Sequence, residues 1–331
     1  MACAAALPAA LALAVMPAGQ GRGAPAGPAG NAGAAAPAEA PPHGGLAPSA
    51  GPVRVVATTS IGADLARHVC ADVPGITVMA LMGPGVDPHI YRPTVRDVRA
   101  LADADVVVAH GLLLEGRMED LWPKLQRRGI SVVVLSDAAT AGDDPHTWMD
   151  ASMWAAAARR TGEALAAQIP DRADAIRASA ARVAARWMEL DAQVRKAVAT
   201  IPPKRRMLVT AHDAFGHFGT AYGMDVRGVQ GISTEAETGL ADLRALVDEV
   251  VARDVPAVFH ETSVPDRAID ALIESAASRG HVLRNAAALH SDALGPPGSG
   301  ADTYEGMMRS NVRAIVEALG GDASAMAGSS R

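Results

Sequence analysis

Cysteine is nearly missing from this chain: Cys3 and Cys70 are the only two in 331 residues. That count excludes a disulfide framework, a CxxC redox pair and a thiolate zinc site. Aromatic residues are scarce as well, at 3%, so the cores must be built from Val, Leu, Ile and Met. There is no basic excess. A net charge of -6 carries none of the positive footprint that a nucleic-acid partner leaves on a protein. No glycine-rich phosphate loop or dinucleotide fingerprint follows any strand candidate, which argues against a nucleotide. Long apolar runs are absent too. Residues 1-18, rich in Ala and Leu, are short for a membrane span and have the small-residue chemistry of a signal peptide. No cysteine follows that run, so no lipid-attachment site is visible. Cys70, in the helical pattern Ala63, Leu65, Ala66, Val69, reads as a buried structural thiol.

What the chain does contain is ordered alternation. Residues 19-52 are Gly, Ala and Pro with almost nothing to bury, a tether in which ordering entropy would exceed any gain from burial. From Val53 onward, short β-branched runs alternate with helical stretches. Strands are expected at 53-58, 76-81, 105-110 and 130-135, with helices at 61-69, 95-103 and 117-128 between them. Near-continuous apolar strands of this kind imply a parallel sheet covered on both faces. After Asp150 the pattern turns helical. Residues 152-168 form one helix and 171-200 a second, the break falling at Pro170-Asp171. In the second helix Ile176, Val183, Trp187, Leu190, Val194 and Val198 make one apolar stripe. Alternation then resumes, with strands at 207-211, 225-229, 257-260 and 281-284 and helices at 214-222, 238-253, 266-279 and 304-319. The expected architecture is α/β: an N-terminal lobe over 53-168, a linking helix over 171-200 and a C-terminal lobe over 205-320. Each lobe has a mainly parallel β-sheet flanked by helices, and a disordered tail covers 321-331.

Ten histidines are present, and two share a setting. Asp87-Pro-His89 and Asp144-Pro-His146 each stand in a loop, 57 positions apart. Proline fixes the chain before each imidazole, and the Asp two residues upstream is placed to orient a ring nitrogen. His212 closes the strand at 207-211, at the strand end where open α/β sheets bind ligands. Asp292 stands in the loop after the last strand. Together they give two ligands per lobe, three imidazoles and one carboxylate, a set suited to a borderline divalent cation. Gaps this long mean that the site is made only by the tertiary fold.

Several stretches carry a resemblance: Val56-Ala-Thr-Thr-Ser60, Gly85-Val-Asp-Pro-His-Ile-Tyr-Arg-Pro-Thr94, Asp144-Pro-His-Thr-Trp-Met-Asp150, Val209-Thr-Ala-His-Asp-Ala-Phe-Gly216, Gly228-Val-Gln-Gly-Ile-Ser-Thr-Glu-Ala-Glu237, Glu261-Thr-Ser-Val-Pro265 and Ser291-Asp-Ala-Leu-Gly295. Over about residues 53-320 the chain resembles the TroA-like zinc/manganese solute-binding family of ABC importers. The resemblance implies two lobes bridged by a rigid backbone helix. It implies His89, His146, His212 and Asp292 as metal ligands, a membrane permease as partner, and an exported, monomeric receptor, periplasmic or tethered outside the cytoplasmic membrane, rather than an enzyme. Manganese-specialised members usually place Glu at the position of His212, and a third imidazole favours zinc over the harder manganese. Zinc-specialised members often carry a long His-rich loop before the second ligand, where this chain has only residues 136-143.

Neighbouring residues have plainer explanations. His217 is expected to be structural. Glu261 is either a partner behind a ligand or the anchor of a loop, and His290 is an exposed loop residue or an understudy ligand. Asp302 and Glu305 suit the start of the last helix. Two rival functions use the same site: a zinc-dependent hydrolase, and a surface adhesin of the same fold.

Overall fold

β-Branched runs decide where the strands fall. In the computed structural model, which describes residues 51-136, 142-235 and 239-327, Val53–Ala57 (β1), Ile76–Ala80 (β2), Val106–Ala109 (β3) and Ser131–Val134 (β4) form one sheet in the order β2-β1-β3-β4, every pair parallel. Helices Ser60–Cys70 (α1), Val95–Ala102 (α2) and Trp122–Arg127 (α3) connect them. Local chemistry sets their ends. The Thr59 hydroxyl accepts the Gly62 N–H to cap α1, and Thr94 with Asp97 forms a reciprocal capping box on α2. The helix expected over 117-128 is broken: Gly116–Leu121 is a 3-10 turn and α3 starts only at Trp122. Pro123 lacks an N–H and fits only the first turn of a new helix.

Ala151–Gln168 (α4), capped by the Asp150 carboxylate, leads into Ala173–Val198 (α5). Twenty-six residues of helix span about 39 Å. The six stripe residues of α5 are all buried, each stabilising the fold by roughly 1.5–3 kcal/mol. Gly162 of α4 faces Ala180 so closely that a β-carbon there would stand 2.4 Å from the Ala180 methyl, which is why the two helices can pack side by side.

The C-terminal lobe is built from Met207–His212 (β5), Gly216–Tyr222 (α6), Asp225–Gln230 (β6), Leu240–Ala252 (α7), Ala257–Val258 (β7), Arg267–Ala277 (α8), Arg284–Asn285 (β8) and Tyr304–Ala318 (α9). β5 pairs with β6 and β7 with β8, all parallel, and a bridge from Thr210 to Phe259 joins the two pairs. The last two strands are shorter than the sequence suggests. Gly280 ends α8 at φ +77° and the His281 ring reaches the Val255 carbonyl at 2.8 Å, so pairing begins only at Arg284.

One expectation, that of the tail, is corrected, and the packing adds a feature the sequence does not show. The lobes do not have wholly separate cores. A single apolar cluster runs from Val55, Leu65 and Trp154 through Trp187 of α5 to Tyr304 and Ile315 of α9, and the described residues belong to one compact unit. Helix α5 is therefore packed into a shared core against α1, α4 and α9, which leaves little freedom for the lobes to swing as rigid bodies. The tail does not begin at 321 either. Ser324–Met326 makes a 3-10 turn, Met326 is fully buried, and Arg313 donates to its carbonyl. The expected signal peptide (1-18), the tether up to residue 50, residues 137-141 of the loop before His146 and the last four residues lie outside the described residues.

Candidate metal centre

The four residues singled out from the sequence come together. His89 lies in the loop after β2, His146 in the loop after β4, His212 is the last residue of β5, and Asp292 follows β8. All stand beyond the carboxyl ends of parallel strands, and all are buried. Their ligating atoms lie within 4.8 Å of one another. The Nε2 atoms of His89 and His146 are 3.3 Å apart, His146 Nε2 is 3.4 Å from Asp292 Oδ1, and His212 Nε2 is 3.3 Å from Asp292 Oδ2. Four donors at zinc-ligand distances of about 2.0–2.1 Å around one tetrahedral ion stand about 3.3 Å apart, and these three separations match that edge. Among the described residues, His212 Nε2 and Asp292 Oδ1 are buried without a hydrogen-bond partner. Buried polar atoms are costly to leave so, and a cation between them would satisfy both. Since each Asp292 oxygen faces a different imidazole, the carboxylate can also bind through both atoms.

The atoms behind the ligands fix their orientation. Asp144 Oδ1 accepts the His146 backbone N–H at 3.0 Å and the ring Nδ1–H at 2.7 Å, leaving the Nε2 lone pair aimed inward. Glu261 faces His212 in a similar way: Oε1 accepts the backbone N–H at 2.8 Å, and Oε2 lies 2.6 Å from Nδ1 as a close ionic contact. It is therefore both loop anchor and ligand partner. Asp87 departs from the expected role, because its Oδ1 takes the backbone N–H of His89 at 2.9 Å and does not orient the ring. Trp148 braces both lobes at once. Its ring packs 5.2 Å from that of His146, and its Nε1–H donates to the Ser291 carbonyl beside Asp292 at 2.8 Å. Gly228 of β6 makes room for His212, since a β-carbon there would fall 2.6 Å from the His212 carbonyl carbon and 2.4 Å from the Asp213 nitrogen.

Electrostatics divide the ligands. Burial lowers the His89 pKa to about 4. Burial works the same way on His212 and His146, but the carboxylates outweigh it: Asp292 and Glu261 hold His212 well above 6.5, and Asp144 and Asp292 raise His146. Burial would raise Asp292, yet His212 and His146 hold it well below the usual carboxylate range.

His217 is structural as expected, its ring Nε2 3.0 Å from the Asp144 carbonyl oxygen. His290 is half-buried with Nδ1 3.2 Å from the Thr262 hydroxyl, and does not belong to the ligand group. A layer not anticipated from the sequence lies behind Trp148. His110 stacks on Trp154 and meets Trp148 edge-on, with Nε2 2.7 Å from the Thr59 hydroxyl. Buried Glu115 accepts from the Thr58 hydroxyl and the His110 backbone. The signal for His110 was its place just past β3, the same position relative to its strand that singled out His212.

Replacing Glu261 by Gln keeps shape but removes the carboxylate facing His212 Nδ1. The expected result is a 10–100-fold loss of zinc affinity, the range typical for partners behind metal ligands, read by competition with a chelator.

Comparison with known proteins agrees with this geometry. The manganese-binding lipoprotein MntA of Bacillus subtilis (strain 168) is 40% identical over 276 residues, covering 81% of this chain and 90% of that one. The zinc-binding protein TroA of Treponema pallidum (strain Nichols) is 36% identical over 274 residues, covering 80% and 88%. The solved structure of the periplasmic zinc-binding protein TroA from Treponema pallidum superposes with a TM-score of 0.77 at 36% identity, over 81% of this chain and 99% of that one. Residues 55-318 match the profile of a family described as ZnuA, zinc-uptake complex component A, periplasmic. The chain belongs to that family.

Proposed function

We propose that this chain captures a divalent transition metal in the cleft between its lobes, through His89, His146, His212 and Asp292, and delivers it to the membrane permease of an ABC importer. The observation that carries the proposal is the convergence of four buried residues whose donor atoms lie within 4.8 Å of one another, with His212 Nε2 and Asp292 Oδ1 lacking any hydrogen-bond partner among the described residues. Relatives named as metal-binding components of metal importers support it. Zinc is the favoured cargo, because three imidazoles suit a borderline ion better than a hard one. Manganese is the second reading, favoured by two facing carboxylate oxygens on Asp292 that add an oxygen-rich side to the site.

Four buried protein donors leave no open position for a nucleophilic water, which a catalytic zinc retains. The hydrolase reading loses its physical basis there. The receptor works outside the cytoplasm, as relatives named lipoproteins do, and among the described residues no helix is long and apolar enough to cross a membrane. Export by residues 1-18, a tether over 19-52, retention in the periplasm or at the outer face of the cytoplasmic membrane, a monomeric state and the absence of a nucleic-acid partner complete the proposal.

Calorimetric titration of the metal-stripped protein tests the cargo. Tight one-to-one zinc binding with much weaker manganese binding is expected. Equal affinities would move the assignment to a mixed receptor, and no stoichiometric binding of either ion would overturn the function.

A further inference from the structure

The two N-terminal-lobe ligands are attached to the opposite lobe in different ways. The His146 arm is held deep in the molecule, by the buried Trp148–Ser291 bond and by the His217 ring 3.0 Å from the Asp144 carbonyl oxygen. The His89 arm is held at the rim. Asp87 stands between two partners: one oxygen accepts the His89 backbone N–H at 2.9 Å, and the other accepts the Thr234 hydroxyl at 2.6 Å. Thr234 belongs to the C-terminal lobe, in the loop after β6, half-buried between exposed Ile232 and Glu235. The same arm touches that lobe again at Gly85, whose β-carbon position lies 3.6 Å from the Thr262 carbonyl oxygen.

We infer that Thr234 is a positioning residue that clasps the His89 arm across the cleft through Asp87, and so governs how fast the metal leaves. The inference rests on His89 being a ligand, as proposed above. A carboxylate is a rigid plane, so fixing one oxygen from the C-terminal lobe fixes the other, and with it the backbone of His89. The bond is charge-assisted and stronger than a neutral one. It exists only while the arm lies against the C-terminal lobe, so its loss destabilises the closed site without altering any ligand. The shared core of α4, α5 and α9 opposes rigid-body opening. Local lifting of the short Asp87–His89 arm is therefore the less costly route out. Release should therefore accelerate when the clasp is cut, whereas entry, which begins with the arm already open, should not change.

The test uses the full chain loaded with Zn2+ and mixed with excess chelator in a stopped-flow instrument, and separately measures Zn2+ association. Thr234→Val, nearly isosteric and without the hydroxyl, is expected to release zinc on the order of tenfold faster, from the loss of one charge-assisted hydrogen bond. Its association rate should stay unchanged. Thr234→Ala, which adds no methyl to a polar contact, should match it, and Thr234→Ser should restore slow release. Release at the wild-type rate from both hydroxyl-free variants would overturn the clasp, as would a serine variant as fast as valine. If wild-type protein bound no zinc at all, the ligand assignment itself would fall, and the clasp with it.

Discussion

Replacing His146 by alanine should lower zinc affinity by roughly 10²–10³-fold while the protein remains folded. The magnitude follows from sharing about 10–16 kcal/mol, typical for a four-ligand zinc site, among its ligands, at 1.4 kcal/mol per tenfold. His146 is the choice because its Nε2 stands at the centre of the set, 3.3 Å from His89 Nε2 and 3.4 Å from Asp292 Oδ1. Its ring is fully buried against Trp148. The fold should survive, since the apolar core through α4, α5 and α9 does not include this ring, and Trp148 and Met149, which belong to that core, are left in place. Chelator competition measures the affinity and far-UV circular dichroism checks the fold. Thermal melts supply a second readout. Zinc stabilises the native state in proportion to the logarithm of its concentration over Kd, so the zinc-induced rise in Tm should nearly vanish in the variant. A variant that kept wild-type affinity would remove His146 from the ligand set.

How much of this was legible beforehand depended on where the constraint resides. The three candidate histidines stand at a strand terminus or beside a proline, positions marked by local sequence, whereas Asp292 stands in a loop that carries no such mark. Strands β1 to β6 were readable because each holds a short run rich in Val or other apolar residues between helical stretches. Strands β7 and β8 were overdrawn, since the His281 ring bonds to Val255 and a tertiary contact shortens the pairing. The partners behind the ligands were only half visible. Asp87 and Asp144 occupy the same place in matching tripeptides, yet Asp144 holds a ring and Asp87 a backbone. The difference is made by Thr234, 147 positions away, which draws the second oxygen of Asp87 toward the other lobe. No local pattern could reveal that. Nor could one reveal that α5 lies inside a common core, because an apolar stripe says that a helix face is covered but not by what.

A fall in pH should weaken metal binding more steeply than free imidazole chemistry suggests. In the metal-free protein, burial opposes a charge on His212 and His146, but Asp292, Glu261 and Asp144 raise both above the ordinary 6.5. Both rings therefore hold their protons to a higher pH than a free imidazole does, and the incoming cation must displace them. Below the raised values each pH unit costs about a factor of ten per proton, so two protons give roughly 100-fold per pH unit there. His89, lowered to about 4 by burial, is already neutral across that range and adds nothing until pH nears 4. Asp292, held well below the usual carboxylate range, stays ionised throughout. The slope of log affinity against pH should accordingly approach two, not three. Calorimetry in two buffers of different ionisation enthalpy counts the protons directly, and close to two per zinc are expected at pH 6. Affinity that stayed flat from pH 7 to pH 5 would exclude this ligand set. Stability of the metal-free fold should run the other way. A raised histidine contributes stability that is fully present below the unfolded value of about 6.5 and is lost as pH rises through the folded value. Raising the pH thus weakens the metal-free protein while strengthening its hold on the ion. The zinc-induced shift in Tm should widen with pH from both directions, because the carboxylates that aim the rings at a cation also stabilise the protons that occupy its place.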